Sequence, residues 1–163
     1  MSFRINIKKM KLKYYILTGV IGMLFVSCNK EKSLKEYMVN SWETTYLKIE
    51  MPSFLKSDSI NVVEDKFLNK PVRRARSSYH KDGTFTAWFV NQKGEKKEES
   101  NGKWSVVKDS LFIEFFYGGK DVRAAYKIEK TDEGFIGKSL SDWDNDGELD
   151  DLLTMKTKKI KKN

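Results

Sequence analysis

The chain has 163 residues, with 31 Lys+Arg against 23 Asp+Glu for a net charge of +8, and it holds one cysteine and one histidine. That length fits a single domain. One Cys28 and one His80 leave no material for disulfide staples, for a His-ligated zinc centre or for a histidine-based triad, so the sequence reads as a non-enzyme.

The charge sits at the two ends. Arg4, Lys8, Lys9, Lys11 and Lys13 precede the first acid, and without them 26 basic residues face 23 acidic ones. Five more lysines, Lys156, Lys158, Lys159, Lys161 and Lys162, crowd the last eight positions. The body is close to neutral, which argues against a nucleic-acid partner.

The basic opening is followed by an uncharged run, Tyr14 to Ser27. Fourteen helical residues span about 21 Å, short of the ~30 Å hydrocarbon core, so the run predicts a signal-peptide h-region rather than a transmembrane helix. It ends at Phe25-Val26-Ser27-Cys28. This segment resembles a bacterial lipoprotein signal, in which a small residue precedes a cysteine that is lipidated and becomes the mature N-terminus. The resemblance implies a signal over residues 1–27, lipidation at Cys28, a tether over 28–32 and a lipid-anchored protein of the bacterial cell envelope, placed at the outer membrane. It also removes the free thiol.

At Ser33 a short helix is expected, because Ser33 and Glu36 have capping-box spacing and Leu34, Tyr37 and Met38 share a face. Trp42 to Met51 reads as a strand with something to bury on both faces: Trp42, Thr44 and Tyr46 on one parity, Thr45, Leu47, Ile49 and Met51 on the other. Pro52 ends it. Ser53 to Lys70 is ambiguous between a strand with a turn and a short amphipathic helix, with the strand preferred.

From Val72 the grammar becomes regular. Val72 to His80 and Thr84 to Val90 form a hairpin around Lys81-Asp82-Gly83, since Asp-Gly supplies the positive φ that a tight turn needs. Asn91 to Ser100 reads as a solvated loop or strand end. Lys103 to Val107 and Leu111 to Tyr117, led in by Asn101-Gly102, form the next hairpin. Val122 to Glu129 follows with Val122, Ala124, Tyr126 and Ile128 inward, and Phe135 to Asp142 pairs with Asp151 to Ile160. About eight short strands with hairpin connections predict an all-β fold, an antiparallel up-and-down barrel with a short N-terminal helix.

The helix into Asn40-Ser41-Trp42, the hairpin Lys81-Asp82-Gly83-Thr84-Phe85, Gly102-Lys103-Trp104 followed by Asp109-Ser110-Leu111-Phe112-Ile113, and the closing strand Leu152 to Met155 carry a second resemblance. Over residues 33–160 the chain resembles the lipocalin-like domains of Bacteroidetes-type lipoproteins, with Asn40 where lipocalins place a glycine before the tryptophan. The resemblance implies a lipocalin-like β-barrel and a ligand held inside it.

Three clusters could carry chemistry. Asp142 to Asp151 reads DWDNDGELDD and resembles the calcium loops of EF-hands and dockerin-type repeats, with Asp142, Asp144 and Asp146 at positions 1, 3 and 5, Gly147 at 6, the Glu148 carbonyl at 7 and Asp150 at 9. Position 12 is Leu153. The expected cofactor is Ca²⁺, set against a plain acidic turn. Arg73, Arg74 and Arg76, with Lys70 and Lys81 nearby, form a basic patch, read as a solvated face or an anion contact. Phe85, Phe89, Trp104, Phe115, Tyr117 and Tyr126 are core or ligand box.

Two readings of function follow. One is a monomeric, membrane-anchored binding module that holds a small apolar or amphipathic ligand inside the barrel. The other is a protein-interaction or envelope-assembly module with a solid barrel, stabilised by Ca²⁺.

Overall fold

The computed structural model describes residues 33–68 and 73–161. The expected signal segment 1–27, Cys28, the rest of the expected tether to residue 32, Lys70 and Lys162 lie outside them. Helix α1 (Leu34–Met38) leads into nine strands: β1 (Ser41–Met51), β2 (Asn61–Asp65), β3 (Arg74–Tyr79), β4 (Thr84–Val90), β5 (Lys96–Val107), β6 (Ser110–Tyr117), β7 (Lys120–Lys130), β8 (Phe135–Ser141) and β9 (Asp151–Lys159). From β3 onward each strand pairs antiparallel with the next, and β9 returns to β1, so eight strands close a barrel. Closure removes the free edges that so many strands would otherwise expose.

The seam between β1 and β3 is split. Only Ser41 to Glu43 pair with β3, whereas Leu47 to Met51 pair on the same side of β1 with β2, a ninth strand outside the ring. The segment Ser53 to Lys70 that was ambiguous in sequence thus holds a short 3₁₀ turn (Phe54–Lys56) and this strand.

The two-faced strand β1 is explained by a bulge. Against β9, Thr44 opposes Thr157 but Tyr46 opposes Lys156, so Thr45 is an extra residue. A bulge inserts one residue and flips the parity beyond it. Trp42 and Thr44 before it, and Leu47, Ile49 and Met51 after it, therefore share the barrel interior, while Tyr46 turns outward beneath the Lys156 ammonium.

One end of the barrel is solid. Met38 from α1 is wholly buried against Trp42, whose ring meets Phe135 edge-on at 5.1 Å and whose indole N–H donates to the Met38 carbonyl at 3.1 Å. The Tyr37 hydroxyl donates to the Gly134 carbonyl in the β7–β8 turn, pinning the helix across the opening. Tyr79, Phe85, Trp104 and Leu111 complete this core, and the Trp104 indole donates to the His80 carbonyl at 2.9 Å. Burying each such large side chain stabilises the fold by about 1.5–3 kcal/mol.

The hairpin around Asp82-Gly83 forms as its sequence predicts, with Gly83 at φ +86. Asn101-Gly102 differs: it lies within β5 rather than leading into it, and a side chain at Gly102 would place its Cβ 2.0 Å from the Glu114 carbonyl of β6. Glycine here serves close strand approach, not a turn. β5 also starts earlier than expected, so Lys96 to Ser100 is strand. Both faces of that stretch are polar, which hides the period-2 signal.

Candidate functional site

Strands β3, β5, β7 and β9 begin at the end of the barrel opposite α1, and β1, β4, β6 and β8 finish there. This end is the mouth. On its β3–β6 side the inward residues are small where neighbouring strands carry rings: Ala75 and Ala87 face Phe89, Phe115 and Tyr117, and a cavity of about 180 Å³ with an almost wholly apolar lining remains between them. Ser100 adds one hydroxyl, and Glu98 stands at its edge. Glu98 holds φ +50 within the β5 bulge opposite Ala87 and Phe89, and it pairs with Arg73, whose guanidinium lies 4.2 Å from the Phe89 ring centroid. The pocket is thus apolar within and charged at the rim.

The aromatic set divides accordingly. Phe85 and Trp104 belong to the solid core and Tyr126 packs at its border, while Phe89, Phe115 and Tyr117 line the pocket. A depression of about 300 Å³ over Gly102 on the wall is less suited to an apolar guest, since Lys103, Glu114, Asp121 and Arg123 line it and Arg123 already pairs with Glu114 at 3.5 Å. At the closed end an open charged groove runs between Asp132, Glu133, Lys158 and Lys161.

The predicted basic patch is partly neutralised. Glu43 points out of the wall, opposite in parity to Trp42, yet its side chain is only 3% exposed because Arg74, Arg76 and Lys158 lie over it at 3.3, 2.6 and 3.1 Å. Burial pushes the Glu43 carboxyl up, but the hydrogen bonds and charges of Arg76 and Lys158 outweigh it and hold the group below the usual carboxylate range. The patch is therefore a tied network around a buried acid rather than a free cationic face.

Across the mouth, the acidic loop is ordered by its own backbone. Asp142 accepts the amides of Asp146 and Gly147 at 3.0 Å each, and Asp151 accepts those of Trp143 and Asp144 at 2.6 and 3.4 Å. Oxygens of Asp142, Asp144 and Asp151 all lie within 4.8 Å of one another. Two of these were expected from the calcium-loop pattern. Asp151 was not, although its shared parity with Leu153 and Met155 signals that it points inward from the start of β9. Asp150 instead accepts the Ser53 hydroxyl at 3.0 Å, and Glu148 is exposed with its amide bonded to Asp146. Asp146 is 9% exposed, and its Oδ2 is buried with no partner among the described residues.

His80 is exposed in the turn between β3 and β4, at the closed end and away from both mouth clusters. Among the described residues no helix is long and apolar enough to cross a membrane. Compared with known proteins, the chain matches no family model, no curated protein and no solved structure.

Proposed function

We propose that this protein is a non-catalytic binding module of the bacterial cell envelope, lipid-anchored at Cys28, whose barrel mouth receives the apolar end of a small amphipathic ligand. The observation that carries this reading is the cavity bounded by Ala75, Ala87, Phe89, Phe115 and Tyr117. Its volume of about 180 Å³ lies below the ~300 Å³ at which drug-sized ligands are engulfed, but above the ~150 Å³ that accommodates a benzene ring. The guest inserts one ring or a chain of about six carbons and leaves its polar head at the Arg73–Glu98 rim. The anchor rests on the register of charge, h-region, Ser27 and Cys28 in the sequence.

A homologous series of alkyl amphiphiles tests this. Titration calorimetry is expected to show affinity rising with chain length by ~0.8 kcal/mol per methylene until the pocket is full, at about six carbons, and flattening beyond it. No dependence on chain length rejects the reading.

The protein-interaction alternative draws on a different observation. Leu55, Ile60 and Leu149 are more than half exposed and Trp143 nearly so, on the two loops at the mouth. A partner seated there would be unaffected by filling the internal cavity, which separates the two readings.

A further inference from the structure

The acidic loop encloses more negative charge than its own donors neutralise. Asp146 and Asp151 are both buried, and among the described residues no lysine or arginine pairs with Asp142, Asp144, Asp146, Asp150 or Asp151. Buried carboxylates without a cation are costly, and an orphaned buried oxygen such as Asp146 Oδ2 is rare in a folded protein. Its residue is held against the cluster, since the Asp146 amide donates to Asp142 Oδ1 at 3.0 Å and to Asp144 Oδ1 at 3.2 Å.

We propose that Asp142, Asp144 and Asp151, next to the residue whose buried Oδ2 lacks a partner, Asp146, hold a Ca²⁺-class divalent cation that locks the rim of the barrel mouth. The ligand oxygens are pre-set. Each carboxylate oxygen has two lone pairs; one amide sits on each oxygen of Asp142 and Asp144, leaving one pair for a metal, and Asp151, whose Oδ2 takes both of its amides, keeps Oδ1. Oxygens on opposite sides of a Ca²⁺ ion stand about 4.6–5.2 Å apart, so three oxygens within 4.8 Å fit one coordination sphere without moving. Backbone carbonyls and water fill the remaining positions.

The cation would act on a second loop as well. Asp144 Oδ2 accepts the Leu55 amide at 2.6 Å and Asp150 Oδ2 accepts the Ser53 hydroxyl, so the β8–β9 loop grips the turn that follows β1. Between those two residues Phe54 packs over Ile49, Met51 and Leu153. Fixing the acidic loop therefore fixes the apolar cover on this side of the mouth. This is independent of whether a ligand enters the pocket across from it.

The full chain in detergent is titrated with Tb³⁺, with Trp143 as the adjacent sensitiser, and then with competing Ca²⁺; melts are run in Ca²⁺ and in chelator. Sensitised emission that Ca²⁺ displaces is expected, together with a midpoint raised by about 10 °C at a hundredfold excess of Ca²⁺ over Kd. Trp143→Phe should dim the emission while keeping the Ca²⁺ shift, and Asp144→Asn or Asp151→Asn should abolish both. Absence of displaceable emission in the wild type overturns the proposal even if a variant fails to fold, and so does an equal Ca²⁺ shift in folded Asp144→Asn and Asp151→Asn.

Discussion

The Leu55 amide donates to Asp144 Oδ2 at 2.6 Å, joining two loops that lie 89 residues apart in sequence. Asp144→Ala removes the acceptor and leaves that amide to water. A hydrogen bond to a charged group contributes about 1.5–3 kcal/mol net, so local opening should become roughly tenfold or more easier. Hydrogen exchange in chelator measures it: the Leu55 amide is expected to exchange at least tenfold faster, while the Trp104 amide in the solid core keeps its protection.

Glu43 governs the acid limb of stability. Its folded pKa is depressed below the ordinary 4.5, so the stabilisation it contributes is present above that value and is lost as pH falls through the folded value. Glu43→Gln leaves Arg74, Arg76 and Lys158 crowded without their acid and should cost about 1–3 kcal/mol at pH 7. Denaturant melts across pH 3 to 7 are expected to show the gap between wild type and variant narrowing toward acid. A gap that is constant with pH would contradict the network.

Thr45 sets the register of β1. Deleting it removes the bulge and turns either Trp42 or the Leu47, Ile49 and Met51 set out of the interior. The deletion is expected to abolish cooperative unfolding, whereas Thr45→Gly, which keeps the residue count, should shift the thermal midpoint by only a few degrees.

That bulge also marks where the sequence stops being legible. Strands β6 and β7 were readable because each keeps one parity inward along its length, with Leu111, Ile113 and Phe115 facing Tyr126, Ala124 and Val122. In β1 the parity changes midway, so the pattern shows apolar residues on both faces and cannot say which half is inverted. The start of β5 fails differently: at the mouth Lys96 to Ser100 leaves the core behind, and no apolar face remains to report a strand. In the acidic loop, the spacing pattern includes Asp142 and Asp144, which the structure brings together, but the third carboxylate of that cluster is Asp151, which belongs to β9 and not to the loop pattern. The pocket was legible only in its rings, Phe89, Phe115 and Tyr117; the space itself arises because Ala75 and Ala87 are small beside Phe89 and opposite β6, which is distant in sequence.

Cys28 lies outside the described residues, and its role is tested chemically. Cys28→Ser is expected to move the protein from the membrane to the soluble envelope fraction, and mass spectrometry of the wild-type N-terminus should show a diacyl or triacyl addition. Unchanged fractionation together with an unmodified N-terminus would remove the anchor from the proposal.

The most direct test of the mouth pocket is native mass spectrometry of the wild type beside Ala87→Phe, whose added ring fills a space lined by Ala75, Phe89, Phe115 and Tyr117. Both proteins are incubated with the same six-carbon amphiphile after their melts confirm that each is folded. One bound molecule on the wild type and none on Ala87→Phe is the predicted result. Equal occupancy of the two, or none on the wild type, would contradict binding inside the barrel.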